Sequence, residues 1–139
     1  MRRRLGIFRI AGAVILLFLF IRETTAMDHK NPYSKETHTF KVADGDSLKI
    51  DVMRLADNEI RPIVIWIHAG GLIIGGPPKL KAHEKEKKLL NAGYAIAAIE
   101  YRVAPEHKLP KIIEDVEDAF VWVRENGPAK FNIDPDRMA

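Results

Sequence analysis

Residues 63–76 of this 139-residue chain read IVIWIHAGGLIIGG. The first five, Ile63 to Ile67, are apolar on both faces of a strand. A strand needs this pattern only when helices cover both sides of a parallel sheet. The stretch from His68 to Pro78 is rich in Gly and Pro and is predicted to be a loop that directly follows the buried strand.

Downstream of this loop the chain alternates between helical and strand patterns. The predicted elements are a helix over 80–92, a buried strand over 94–99, a loop over 100–109 and a second helix from 110 to 126. Pro110 suits the first turn of that helix, and Asn126-Gly127-Pro128 is expected to end it. Its apolar stripe at helical spacing consists of Ile113, Val116, Phe120 and Val123.

Upstream, the sequence predicts an irregular segment over 27–36 and two strands over 37–42 and 47–54. The second strand alternates between apolar and polar residues, which favours a half-buried strand antiparallel to its neighbour. The fold class is therefore α/β, with two N-terminal strands followed by β-α-β-α of a mainly parallel sheet. The folded domain is expected over 37–139.

Residues 1–26 have the pattern of a secretory signal peptide. Arg2 to Arg4 form a positive start, Ile10 to Ile21 form an uncharged run of 12 residues, and Ala26 ends a small-residue cleavage site. The alternative is an uncleaved N-terminal anchor that extends back to Leu5. Both readings place the rest of the chain outside the cytoplasm, as a secreted or periplasmic protein or as a membrane-anchored one.

Composition excludes several classes of site. The chain has no Cys, which rules out a disulfide scaffold, a thiolate zinc site and a cysteine nucleophile. The leader holds five Arg and one Glu, so 17 basic and 18 acidic groups are left for residues 27–139. That balance does not predict nucleic-acid binding. The five His lack zinc-like spacing, and the glycine loop has no nucleotide motif, so no metal and no cofactor are expected.

Two glycines in the loop after the buried strand could allow its backbone to bind a ligand. Gly70 and Gly71 allow unusual backbone dihedrals and let the backbone N–H groups approach a ligand closely. Two N–H groups aimed at one point can stabilise an oxyanion. A flexible glycine-rich connector is the alternative that these residues alone leave open.

Two further segments accompany the glycine loop in order along the chain. The first is Tyr101-Arg102-Val103-Ala104-Pro105-Glu106-His107, followed by Leu109-Pro110 and Glu114-Asp115-Val116. The second is Phe131-Asn132-Ile133-Asp134-Pro135-Asp136-Arg137. With the glycine loop, they resemble the N-terminal half of an α/β-hydrolase. The resemblance is to the esterase and lipase group related to hormone-sensitive lipase, including bacterial acetyl-esterase-like enzymes, and covers about residues 37–139. That group normally shows His-Gly-Gly-Gly where this chain has Ala69 at the second position.

The resemblance implies an oxyanion site and a small ester as substrate. By this resemblance, the N–H groups of Gly70 and Gly71 would bind the negative oxygen that forms during acyl transfer. Residues 72–74, Leu72 and Ile73 among them, would line the acyl or alcohol pocket, with ordinary core packing as the alternative.

The resemblance also implies supporting roles around that site. His68 would hold the glycine loop by hydrogen bonding. Arg102 would pair with Asp115 or Glu106 and so hold the second loop on the following helix. His107 belongs to the same loop motif and is not expected to be catalytic.

The resemblance further implies a nucleophile that these residues lack. The only serines are Ser34 and Ser47, and neither has the Gly-x-Ser-x-Gly context of a nucleophile elbow. The chain is thus expected to stop before the nucleophile, the acid and the triad His, and to be inactive alone. We also expect an unpaired edge on the 63–67 strand that favours self-association. The alternatives are a non-catalytic relative that binds a ligand or partner, and a peptidase of the same fold.

Overall fold

The computed structural model describes residues 31–139 as a five-stranded mixed sheet with two helices. The strands are β1 (Tyr33–Ala43), β2 (Asp46–Leu55), β3 (Arg61–Ile67), β4 (Ala95–Ile99) and β5 (Ile133–Met138), and the helices are α1 (Glu84–Asn91) and α2 (Leu109–Phe131). The signal peptide or anchor expected at 1–26 lies outside the described residues. Within 31–139, neither helix is long and apolar enough to span a membrane.

The strand order across the sheet is β1-β2-β4-β3-β5. The β1–β2 and β2–β4 pairs are antiparallel, whereas β3 is parallel to both β4 and β5. The predicted α/β fold class, two strands followed by β-α-β-α, is confirmed. The segment at 133–138 adds a fifth strand.

The two helices cover opposite faces of the sheet. On one face Val123 and Phe131 of α2 pack against Ile63 and Ile65 of β3. On the other face Leu90 of α1 packs against strand residues that include Met53 and Ile96. Because β4 lies on one side of β3 and β5 on the other, the carboxyl end of β3 is a topological switch point. In open α/β sheets such a point is where ligands bind.

The two faces of β3 are buried to different degrees. Ile63 and Ile65 are buried, but Val64 and Trp66 on the opposite face are only half-buried. The prediction of full burial on both faces is therefore correct for one face only. The physical reason is that α1 is short and packs over β4 and β2, so it leaves part of β3 uncovered.

The prediction of an unpaired edge on β3 is wrong. The Arg61 N–H donates to Asn132 O at 2.9 Å, the Ile65 N–H donates to Ala139 O at 2.7 Å, and the Ala139 N–H donates to Ile63 O at 3.0 Å. β5 thus pairs along β3, and the edge of the described sheet lies at β5.

Helix α2 is longer than its sequence predicts. It continues past Gly127 and Pro128 to Phe131, which is 3% exposed, and Asn132 caps it with φ 49° and ψ 50°. Burial of Phe131 offsets the hydrogen bond that Pro128 cannot make. Close packing also explains why position 127 is glycine, because a Cβ there would lie 3.2 Å from Cβ of Ile133.

The buried stripe of α2 is shifted by one residue from the predicted one. The fully buried positions are Ile112, Asp115, Ala119, Val123, Gly127 and Phe131. Val116 and Phe120 are half-buried, but Ile113 is 48% exposed. The stripe prediction failed at Ile113 because it excluded a charged residue, Asp115, from the buried face.

The N-terminal hairpin also departs from its prediction. β1 includes 33–36, which the sequence assigned to an irregular segment, and β2 is buried on both faces rather than on one. The second face of β2 holds Asp51, which is 1% exposed and lies 2.7 Å from Lys35 Nζ. The backbone N–H of Leu80 also donates to Asp51. The segment before α1 is therefore anchored as a loop, and α1 begins at Glu84 rather than at residue 80.

Candidate active site

The glycine loop after β3 adopts left-handed backbone at three consecutive residues. Gly70 has φ 146°, Gly71 has φ 61° and Leu72 has φ 62°. The N–H groups of Ile73 and Ile74 both donate to the Gly70 carbonyl, at 3.1 and 3.0 Å. A Cβ on Gly70 would lie 2.1 Å from the carbonyl oxygen of Ile74, so this turn requires glycine at position 70.

The backbone N–H groups of Gly70 and Gly71 are the candidate donors of this loop. Neither N–H donates a hydrogen bond to any of residues 31–139. Gly71 is exposed and Gly70 is half-buried, so the loop is not embedded in packed protein. Two adjacent free donors at the carboxyl end of β3 form a candidate oxyanion site.

Ala69, the position at which the sequence departs from the His-Gly-Gly-Gly pattern, does not lie in the left-handed region. Its Cβ therefore causes no backbone strain. The side chain that does occupy left-handed backbone belongs to Leu72, a position that sequence reasoning missed. Left-handed backbone costs a non-glycine residue roughly 1–2 kcal/mol. The sequence gives no sign of this conformation at position 72, because the residue there is neither Gly nor Asn.

The apolar side chains of the loop are exposed. Leu72 is 38% exposed and Ile73 is 65% exposed, so core packing, the alternative for both, is wrong. Neither lines a described pocket. Their role beside a substrate stays a prediction.

His68 contacts the second loop through its ring and its carbonyl. Its ring stacks on Tyr101 with the ring centroids 4.2 Å apart, and the Tyr101 hydroxyl donates to His68 O at 2.8 Å. Burial raises the pKa of Tyr101, which keeps the hydroxyl protonated as a donor. The Ala104 N–H also donates to Leu72 O at 2.8 Å, so the second loop holds the glycine loop at two points. Sequence reasoning missed the roles of Tyr101 and Ala104, although both lie within the second motif.

Arg102 and Asp115 form a buried two-point ion pair. Nε and Nη2 of Arg102 donate to Oδ2 and Oδ1 of Asp115, each at 2.7 Å, and the Arg102 N–H donates to Oδ2 at 3.1 Å. The side chains are 2% and 0% exposed. Of the two carboxylates that the sequence offers Arg102, the structure pairs it with Asp115, and Glu106 makes no ion pair within the described residues.

Lys41 of β1 completes this buried charge cluster. Its Nζ lies 2.9 Å from Asp115 Oδ1 and also contacts Glu114 and Asp118. Burial alone would raise the pKa of Asp115, but the hydrogen bonds from Arg102 and Lys41 outweigh it and hold that pKa below the ordinary value. Burial would likewise lower the pKa of Lys41, but the hydrogen bonds to its three carboxylates raise it. Lys41 was missed because it is 74 residues from Asp115 in sequence.

No serine lies in a position to attack an ester. Ser34 is in β1 and Ser47 is in β2, so neither occupies a sharp turn between a strand and a helix. His107 lies 3.6 Å from Asp46 and makes no hydrogen bond to a described serine. Residues 31–139 also contain no cluster of three His, Cys, Asp or Glu side chains that could hold a metal.

Comparison with known proteins places this site in a family. The family model BD-FAE matches residues 50–139, which include the glycine loop, the second loop, α2 and β5. The chain belongs to the BD-FAE family. The match contains every residue of the candidate oxyanion site and its Arg102–Asp115 support, but not Lys41.

Several proteins that this BD-FAE chain resembles are carboxylesterases by name. It is 37% identical over 82 residues to Carboxylesterase NlhH of Mycobacterium tuberculosis, covering 56% of this chain and 24% of that protein. It is 35% identical over 72 residues to Probable carboxylesterase 8 of Arabidopsis thaliana, covering 51% and 22%. Among solved structures, esterase B from Lactobacillus rhamnosis superposes with a TM-score of 0.65 and 26% identity, over 78% of this chain and 35% of that one.

These comparisons confirm the α/β-hydrolase esterase relationship expected from the three motifs. The chain spans about a quarter of the length of the curated relatives it matches.

Proposed function

We propose that residues 37–139 form the oxyanion-binding part of a carboxylic-ester hydrolase. The observation that carries the proposal is the pair of free amides at Gly70 and Gly71, on a left-handed loop at the carboxyl end of β3. When a nucleophile attacks an ester carbonyl, the carbonyl oxygen becomes negative. A preorganised N–H donor for that oxygen contributes roughly 2.7–4 kcal/mol to transition-state stabilisation.

In this mechanism the chain contributes position and electrostatics rather than the attacking group. The two amides would hold the carbonyl oxygen while a hydroxyl nucleophile forms the acyl-enzyme and water then releases the acid. Tyr101 and Ala104 fix the loop against the second motif. The exposed Leu72 and Ile73 would line the acyl or alcohol side of a small ester.

A second candidate, a non-catalytic relative that binds a ligand or partner, is favoured by the placement of Ser34 and Ser47 on strands. The 139-residue chain is therefore expected to show no turnover of p-nitrophenyl acetate above the buffer rate. A double variant, Ser34→Ala with Ser47→Ala, is the control. Turnover that persists in the double variant would mean that another residue acts as nucleophile and that our account of this chain is wrong.

A chimera distinguishes the two hypotheses, that the chain is part of an esterase or that it is a non-catalytic binding protein. Residues of this chain would replace the region that they match in carboxylesterase NlhH, so that the rest of NlhH supplies the nucleophile. We expect the chimera to hydrolyse p-nitrophenyl acetate. A chimera that folds, as judged by cooperative thermal unfolding, but releases no p-nitrophenol would favour the non-catalytic alternative.

A further inference from the structure

Gly75 is glycine for a different reason from the glycines before it in the loop. Its φ lies outside the left-handed region that Gly70 and Gly71 occupy, so backbone freedom does not require glycine here. The space around it does. A Cβ on Gly75 would lie 2.7 Å from Cγ1 of Val103, much closer than two non-bonded carbon atoms approach. The second loop therefore contacts the backbone of the glycine loop directly at this residue.

Val103 is held on the second loop and cannot easily withdraw from this contact. Its carbonyl oxygen accepts from the His107 N–H at 3.1 Å, and its neighbour Arg102 belongs to the buried ion pair with Asp115. Branching at Cβ makes the valine side chain stiff about χ1. Two of its three staggered rotamers place a methyl group in any one position, so rotation relieves a contact in only one of them. A Cβ added at Gly75 is therefore expected to displace the glycine loop.

Gly75 also contacts the start of its own loop. A Cβ there would lie 3.6 Å from Cε1 of the His68 ring, which is an ordinary contact distance. The same ring stacks on Tyr101, whose hydroxyl donates to His68 O. The second loop thus contacts the glycine loop on both sides of the two oxyanion amides, through Tyr101 before them and through Val103 after them. Because both ends are held, a displacement at Gly75 changes the backbone between them.

A short path of covalent and hydrogen bonds links Gly75 to one of these amides. Ile74 directly precedes Gly75, and its N–H donates to the Gly70 carbonyl at 3.0 Å. The Gly70 carbonyl and the Gly71 N–H belong to the same planar peptide group, so the direction of one determines the direction of the other. A shift of Gly75 that moves Ile74 therefore turns the Gly71 N–H.

We propose that Gly75 and Val103 are positioning residues, whose close approach sets the direction of the oxyanion amides. This positioning role rests on the proposed function, because it concerns the same two donors. An oxyanion donor acts at about 2.7–3.1 Å from the negative oxygen. A misplacement of about 1 Å at the reacting groups costs about 10²-fold in rate. Gly75 and Val103 act through Ile74 and the Gly70 carbonyl rather than on the ester itself.

Kinetics of the NlhH chimera test the contact by changing the size of both partners. Gly75→Ala is expected to lower kcat for p-nitrophenyl acetate by about 10²-fold with little change in KM, because an oxyanion donor acts on the transition state. Adding Val103→Ala removes the methyl group that the new Cβ meets, and is expected to recover about tenfold or more in kcat. Adding Val103→Thr instead keeps the branched shape and should recover nothing. An unchanged kcat in Gly75→Ala, a loss carried by KM alone, or no recovery on adding Val103→Ala would overturn the proposal.

Folding and NMR measurements complete the test. If Gly75→Ala does not fold, the double variant with Val103→Ala should still fold, and its failure to fold where Val103→Ala alone folds would overturn the proposal. In the 139-residue chain, the backbone N–H resonances of Gly70 and Gly71 report on the amides without any ester. We expect Gly75→Ala to shift both and the double variant to return them, while the Gly127 resonance of α2 stays unchanged as the reference. A parent chimera without turnover would contradict the proposed function alone, whereas unshifted Gly70 and Gly71 resonances would overturn the positioning role.

Discussion

Asp115→Asn is expected to lower the free energy of unfolding by about 3–5 kcal/mol, because it removes one partner of a buried ion pair. The carboxylate is fully buried and accepts three hydrogen bonds from Arg102 and one from Lys41. An amide keeps the shape but removes the buried carboxylate from Arg102, which is then left with Asp44, a partner whose side chain is 58% exposed. Urea unfolding followed by circular dichroism measures the difference.

The matched control for this effect lies on the same helix. Asp118 also contacts Lys41, but its side chain is 46% exposed and solvent screens its charge. Asp118→Asn is therefore expected to cost less than about 1 kcal/mol. If the two variants unfolded at the same urea concentration, burial would not be what makes Asp115 important.

The ion pair also has a consequence for the candidate active site. It holds the second loop on α2, and Ala104 and Tyr101 of that loop hold Leu72 and His68 of the glycine loop. The support therefore runs from the buried charges to the oxyanion amides through hydrogen bonds of 2.7–3.1 Å. Loss of Asp115 should loosen both loops together.

Gly70→Ala in the NlhH chimera is expected to lower kcat for p-nitrophenyl acetate by about 10²–10³, the effect of losing one oxyanion donor. The added Cβ would lie 2.1 Å from the Ile74 carbonyl oxygen, and φ of 146° is unfavourable for alanine. The loop must move, and the Gly70 amide moves with it. Initial rates at saturating ester measure the change, and thermal unfolding checks that the chimera stays folded.

Gly71→Ala is the control for the effect of backbone strain on kcat. A Cβ at Gly71 meets no atom within 4 Å, and φ of 61° lies in the left-handed region that alanine enters at modest cost. We expect less than a tenfold loss of kcat, with the amide still in place. Equal losses in both variants would show that strain alone, rather than displacement of the Gly70 amide, controls the rate.

Local sequence patterns predicted the parts of the structure that local forces determine. The apolar run of Ile63 to Ile67 predicted β3 because few other environments accept such a run. Glycines at 70 and 71 predicted the turn because their backbone freedom is a property of the residue itself. The family resemblance predicted a carboxylate partner for Arg102, either Asp115 or Glu106, and the structure pairs Arg102 with Asp115.

What the sequence did not predict depends on contacts between distant segments. Lys41 reaches Asp115 only because β1 and α2 meet in the fold. α2 passes through Pro128 because Phe131 finds a buried position against β3, and burial there outweighs the local preference to end the helix. Leu72 takes left-handed backbone because hydrogen bonds to Gly70 and from Ala104 fix the turn around it.

The central claim, that the amides of Gly70 and Gly71 bind the oxyanion, is tested most directly by a crystal structure of the chimera inhibited with a p-nitrophenyl phosphonate. The phosphonyl oxygen stands for the negative oxygen of the tetrahedral intermediate. We predict that it lies about 2.7–3.1 Å from both backbone nitrogens. A phosphonyl oxygen bound by other donors, with both nitrogens beyond hydrogen-bond distance, would contradict the claim.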